Sequence, residues 1–380
     1  MLKNKAEETT KRRKCMSDSV TNMEERIEYL EGQILELQKK NLSYEKEKNV
    51  LLQTVRDMYE MNKQVMVQVS QIIGDQGILA ANQRVMGMRC DNMIFEYYEL
   101  LEKGEYFFPI IKSRRETIEE IIKNKKSIAR FGDGEFSQIV KVKRQEFQRM
   151  DDKLGLRLKE VLDSHHPNIL IAIANNYGSL EKYTDFAADG IRDYMTKYDA
   201  RKQQMELLEK ERIYYDAYMS RPYVMHRDCM TDAPKKRFEE LKKIWEGRDV
   251  LIVEGAQTRM GVGNDLMDGT KTIKRILAPA TSSFDRYDDI LKAALKHAEK
   301  DMLILVAMGP SAGVLAYDLT LEGYQALDIG HLDLEYEWFL AGEGKRVPVP
   351  YKYNNEIPGD EGAEELCDPV YEGQIVADCS

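Results

Sequence analysis

The chain has 380 residues, with 56 Lys and Arg against 66 Asp and Glu, a net charge of −10 and 43% hydrophobic residues. That length suits one large α/β domain with an extension or two domains, and the acidic balance excludes general nucleic-acid binding while leaving room for a local basic pocket for one anionic ligand. The cysteines, Cys15, Cys90, Cys229, Cys367 and Cys379, are scattered without a CxxC, which argues against a disulfide framework or a zinc site and for a reducing compartment.

The basic run Lys11–Lys14 is followed by no apolar h-region, so no signal peptide is expected. Apolar stretches such as 169–174 and 303–308 are too short to span a bilayer. The expected location is the cytoplasm.

Residues 23–72 keep a heptad register. Its seam reads Met23, Ile27, Leu30, Ile34, Leu37, Asn41, Tyr44, Lys48, Leu51, Val55, Met58, Asn62, Val65, Val69 and Ile72. The run has no Pro and one Gly, Gly32. A 3.5-residue apolar repeat predicts a coiled coil, and its polar residues Asn41, Lys48 and Asn62 all fall at a, which predicts a parallel homodimer or a higher oligomer. A long amphipathic helix packed on its own globular domain is the alternative. Gly74 and Gly77 loosen the helix, and 78–112 read as a less regular helical neck ending near Pro109. The expected boundaries are 1–75 for the coil, 76–112 for the neck, 113–352 for the globular domain and 353–380 for an acidic, poorly ordered tail.

From residue 113 the pattern alternates. Strands are predicted at 127–131, 168–174, 249–254, 272–277, 302–308 and 326–329, and helices at 114–124, 151–163, 234–246, 284–299 and 311–322. Residues 180–230 read as a helical insertion. Near-continuous apolar strands such as NILIAIA and MLILVAM suit a sheet covered on both faces. The fold class is α/β, with a doubly wound, mostly parallel sheet.

Several constellations follow strand ends, where open α/β sheets bind ligands. In Arg130-Phe-Gly132-Asp133-Gly134-Glu135, two carboxylates suit Mg²⁺ or Mn²⁺ on a diphosphate, with Arg130 as a cationic contact; the plain alternative is a solvated turn. In Glu254-Gly255, followed by Arg259, Gly261, Gly263, Asn264 and Asp265, a Gly-rich loop offers amides and a cation to phosphate, though no Walker A loop is present. In Gly309-Pro310-Ser311, Ser311 is placed to cap a helix whose N-terminus can hold an anion. In His331-Leu-Asp333-Leu-Glu335, alternation puts the three polar side chains on one face if the segment is extended, and any of them is a candidate base. Arg221, in Ser220-Arg-Pro-Tyr223, and Arg275 add guanidinium forks of the kind that hold phosphate.

The segments RFGDGE, SRPY, VEG…R.GVGNDL, IKRI..PA, GPSA…LAYDL and DIGHLDLEYEW occur in order over roughly 113–352 and closely resemble the GT-D family of glycosyltransferases, formerly DUF1792. The resemblance implies a Rossmann-like fold, a nucleotide-sugar donor such as UDP-glucose, a glycan or glycoprotein acceptor and a divalent metal. The family's Asp-x-Glu metal motif falls on Asp133 and Glu135. Its Gly-Pro-Thr appears as Gly309-Pro310-Ser311, and Thr281-Ser282-Ser283 stand where relatives carry Asn-Ala. Two other readings compete: a coiled-coil scaffold with a catalytically dead domain, and another metal-dependent nucleotide enzyme.

Overall fold

The computed structural model of the protein describes residues 2–72, 77–97, 106–142, 147–354, 357, 363 and 365–380. The chain divides into two compact units, 1–90 and 91–380.

The first unit holds the helix Leu2–Ile72 and most of the helix Gly77–Glu96. Helix formers dominate the long helix, and pairs such as Glu36–Lys40, 2.9 Å apart, brace its surface. Between residues 20 and 67 no described side chain is buried, the predicted seam included. The predicted loosening at Gly74 lies outside the described residues, whereas Gly77 opens the second helix. The expected neck is helical as far as Glu96, and its 98–105 stretch is again outside the described residues.

The second unit is built on β1 (Ile110–Ile111), β2 (Ser127–Phe131), β3 (Ile169–Ile173), β4 (Ile213–Asp216), β5 (Asp249–Gly255), β6 (Thr272–Ala278), β7 (Leu303–Ala307), β8 (Gln325–Asp328) and β9 (Ile375–Asp378). They form one sheet in the order β1-β4-β3-β2-β8-β7-β5-β6-β9, every adjacent pair parallel. All six predicted strands are present within a residue or two of their expected ends. β4 falls inside the expected helical insertion, which otherwise supplies the helices Asp185–Thr196 and Ala200–Leu207. The expected tail is corrected more sharply: it ends in a helix, Pro369–Gln374, and in β9, which pairs with β6. The run Ile-Val-Ala is too short to announce a strand by composition, and its partner decides it.

Alternate side chains of the central strands enter two cores. Leu251, Val253, Ile304 and Val306 meet the helices Asp152–Asp163, Tyr287–His297 and Ser311–Leu321. Val250, Ile252, Leu303 and Leu305 meet Arg114–Lys123, Ala233–Lys242 and Leu332–Leu340. Burial on both faces explains the continuous apolar strands. It also fixes where a ligand can enter. β2 and β8 are neighbours, but the chain leaves β2 toward the first layer, at Phe136 and Leu154, and leaves β8 toward the second, at Leu332 and Leu334. Connections that diverge to opposite faces open a crevice at the carboxyl ends of the two strands.

Candidate active site

β2 delivers Arg130 to the mouth of this crevice and turns at Gly132 directly into the helix Asp133–Val140. Asp133 is exposed on the first turn, where a negative charge suits the positive end of the helix. Glu135 is partly buried and turns back, its Oε2 accepting from Gly132 N–H at 2.7 Å. The two carboxylates therefore share one helical turn, one open to the crevice and the other half engaged in closing the turn.

Arg130 is not directed at a ligand. Its Nη2 donates to Asp328 Oδ1 at 2.6 Å and its Nε to Asp328 O at 2.9 Å. Its guanidinium lies under Gly330, where an added Cβ would stand 2.2 Å from Nη2. Gly330, at φ +48°, thus keeps the backbone after β8 bare. Burial, and then the Asp328 carboxylate, push the Glu135 carboxyl up to about 7, against the pull of the Gly132 amide and Arg130. Asp328 is itself pushed up by burial in spite of Arg130. The sequence places Asp328 at a strand end beside His331 but assigns it no role; its pairing with Arg130, 198 residues away, appears only in the fold.

Across the crevice, Arg221 Nη2 lies 3.4 Å from His331 Nδ1. Arg221 follows the turn Ala217–Ser220, and its carbonyl lies 3.2 Å from Nε2 of His226. Burial, and then Arg237, lower His226 to about 4, so that side chain stays neutral and structural. Tyr218, three residues before Arg221, feels the Asp133 carboxylate: burial first, then Asp133, raise its hydroxyl well above the usual range. Asp133, Tyr218, Arg221 and His331 are therefore brought together. Tyr218 went unnoticed in the sequence, although it stands two residues before the SRPY segment.

The remaining expected contacts are engaged elsewhere. Glu254 is fully buried and pairs with Arg275 at 2.6 Å, its other oxygen accepting from Met260 N–H at 2.7 Å. Arg275 also donates to Met260 O and Gln374, so it is a core residue and not a phosphate fork. Asp333 accepts from Gly261 N–H at 2.8 Å, Asn264 Nδ2 at 2.9 Å and Lys352 Nζ at 2.6 Å. Burial opposes the Lys352 charge, but Asp333 and Glu337 outweigh it and hold its pKa above the usual range. Asp265 pairs with Lys242 and Tyr336. Arg259 donates to Tyr351 O at 2.6 Å. Glu335, fully buried, accepts from the amides of Tyr223 and Val224 at 2.9 and 3.1 Å. The segment after His331 is a helix, not a strand, so His331, Asp333 and Glu335 do not share a face. Glu254 and Asp333 are buried among partners inside the protein, Glu335 is buried with one oxygen so held, and Gly261, Asn264 and Asp265 bond to Asp333, Lys242 and Tyr336, so each of these candidates already makes bonds within the protein.

Gly309 adopts φ +69°, and a Cβ there would meet the Phe147 ring at 2.6 Å. Pro310 lies against Gly134, 3.6 Å from where its Cβ would be, so the N-termini of two helices converge on the crevice. Ser311 does not cap. It is buried on the first turn, its hydroxyl donating to Met308 O at 3.1 Å and lying 2.7 Å from that of Ser283. Ser283 thus serves an internal bond.

Among the described residues no three His, Cys, Asp or Glu side chains are placed to hold a metal ion between them. Asp133, exposed on the first turn of its helix, is the kind of carboxylate that a hard cation takes alongside water and substrate phosphate, whereas Glu135, two residues on, turns its Oε2 to the Gly132 amide.

Residues 128–357 match the family model for the glycosyltransferase GT-D fold. The probable glycosyl transferase Gly of Streptococcus gordonii is 36% identical over 265 residues, covering 69% of this chain and 38% of that protein. Glycosyltransferase GlyD of Streptococcus pneumoniae serotype 4 is 34% identical over 292 residues, covering 76% of this chain and 35% of its own. The chain thus spans a little over a third of these relatives' length. Among solved structures, a DUF1792 domain described as having a distinct glycosyltransferase fold superposes with a TM-score of 0.66 at 35% identity, covering 71% of this chain and 95% of that one. A DUF1792 glycosyltransferase from Streptococcus sanguinis gives the same TM-score of 0.66 at 33% identity, covering 72% and 100%.

Proposed function

The chain belongs to the GT-D family of glycosyltransferases, and from that premise we propose that it moves a hexose from a UDP-sugar, UDP-glucose first among them, to a glycan or glycoprotein acceptor in the cytoplasm with the help of Mn²⁺ or Mg²⁺. The observation that carries this reading is that Asp133, Tyr218, Arg221 and His331 are brought together where β2 and β8 diverge.

In this reading the diphosphate lies across the crevice. Arg221 neutralises one phosphate, and the converging helix N-termini at Asp133 and Ser311 add their positive ends. His331, 3.4 Å from Arg221, stands beside it as a second contact for the phosphate. Bare backbone at Gly330 lets the ligand approach over the buried Arg130–Asp328 pair. A divalent cation on Asp133 and Glu135 would stabilise the charge that develops on the leaving diphosphate.

The long helix fits a parallel dimer of this chain. Its a positions hold Ile27, Ile34 and Val55 and its d positions Leu30, Leu37 and Leu51, the distribution that favours two strands. In a parallel register Arg26 and Lys40 at g face Glu31 and Glu45 at e of the second copy, and no like charges meet at these positions.

The test is release of UDP from a panel of UDP-sugars with and without Mn²⁺. Metal-dependent release supports the reading; a protein that binds no uridine nucleotide at all, or one that turns over only a different nucleotide, overturns it. Light scattering of the full chain should give a dimer, and Leu37→Lys with Leu51→Lys a monomer.

A further inference from the structure

The helices Asp185–Thr196 and Ala200–Leu207 lie in the region expected as an insertion. One face of the first helix, Ala188, Ile191 and Met195, is buried in a small core of its own with Leu180, Tyr183 and Met225. A second face, Gly190, Asp193, Tyr194 and Lys197, has the i, i+3, i+4, i+7 spacing of a single surface, of which Tyr194 also packs against that small core. It lines a cavity of about 150 Å³ whose opposite wall is Asp133, Phe136 and Ser137, with Gln203 and Gln204 completing the rim. On that measure the space holds about ten waters, one sugar ring and not a nucleotide.

The lining is mixed in the way a sugar is mixed. Phe136 and Tyr194 supply apolar ring surface. Asp193 and Lys197 form an ion pair at 2.6 Å, an acceptor beside a donor for neighbouring hydroxyls. Gln204 is held internally by Tyr177 and Tyr194. Asp133 belongs both to this cavity and to the crevice. A group seated in the cavity therefore sits beside the end of the crevice where the leaving diphosphate would be held.

We propose that this cavity is the acceptor subsite and that it takes the terminal hexose of the acceptor, presenting a hydroxyl toward the donor carbon past Asp133. The proposal rests on the glycosyltransferase reading for its meaning but not for its test. Gly190 gives the means: it lines the cavity and a Cβ there meets nothing within 4 Å, so a larger side chain is accommodated at the cavity wall. The same change replaces a helical glycine with a better helix former.

The experiment is saturation-transfer NMR on the full chain with methyl β-glucoside, methyl β-galactoside and methyl β-N-acetylglucosaminide as probes, comparing wild type with Gly190→Leu and Lys197→Ala. At least one probe should receive saturation from the wild type, lose it in Gly190→Leu and bind about tenfold more weakly in Lys197→Ala, the loss of one charge-assisted hydrogen bond. UDP, followed in the same way, should bind all three proteins alike. No probe contact in the wild type, probe contact that survives the Gly190→Leu plug, or loss of UDP binding with the plug each overturns the subsite. Bound hexoside without any UDP-sugar turnover would instead sink the glycosyltransferase chemistry and leave a sugar-binding cavity standing.

Discussion

The ends of β2 and β8 and the ends of β5 and β6 carry the same kinds of residue: glycines, carboxylates and arginines. Around β5 and β6 every charge has been absorbed. Glu254 is held by Arg275, and Asp333 by Lys352, Asn264 and the Gly261 amide. Around β2 and β8 the account is left open, with Asp133 exposed and Glu135 pushed up to about 7 beside Asp328. Both regions have strand-end acids; what separates them is that Glu254 and Asp333 are buried whereas Asp133 is exposed. A closed network fixes a loop, and an open one invites a ligand.

The largest expected effect breaks the closed side. Arg275→Met strands Glu254 in the core and should cost about 3–5 kcal/mol, read as a fall in the urea midpoint at constant m-value. If the midpoint hardly moves, the β5–β6 cluster is not the structural lock described. On the open side, Asp133→Asn should lower metal-dependent turnover by on the order of 100-fold while stability stays within about 0.5 kcal/mol. Undiminished turnover would take Asp133 out of the cation site.

Titration sharpens the contrast further. The Glu135 carboxyl rises from 4.5 to about 7 on folding, so the folded protein holds that proton more tightly than the unfolded chain. Its contribution to stability is complete below pH 4.5 and is lost as pH climbs through about 7. Glu135→Gln should flatten that slope, and Mn²⁺, competing with the same proton, should raise the melting temperature more at pH 8 than at pH 5. A slope unchanged in Glu135→Gln would assign it to another group. The smallest effect is Ser311→Ala, about 1 kcal/mol of stability with an unchanged KM for the UDP-sugar, because its hydroxyl faces Met308 and Ser283. A raised KM would return Ser311 to the donor site.

Much of the fold was legible. The central strands announced themselves because burial on two faces demands unbroken apolar runs, and their helices by period and caps: Ser113 and Asp151 both accept from first-turn amides. β1, β4 and β9 did not, since strands of two to four residues carry too little pattern to separate them from loops. Of the site, Asp133, Glu135, Arg221 and His331 could be picked out, whereas Tyr218 and Asp328 could not.

The amino-acid sequence by itself determined the α/β alternation, the heptad stripe, the acidic turn after β2 and the likeness to a glycosyltransferase family, since all of these reside in local spacing and motif order. Which acids are exposed and which are paired inside the protein was decided only by tertiary structure. Lys352 reaches Asp333 and Arg130 reaches Asp328 across strands and loops far apart in the chain, and a carboxylate's chemistry depends on the charges packed around it, which no local pattern records.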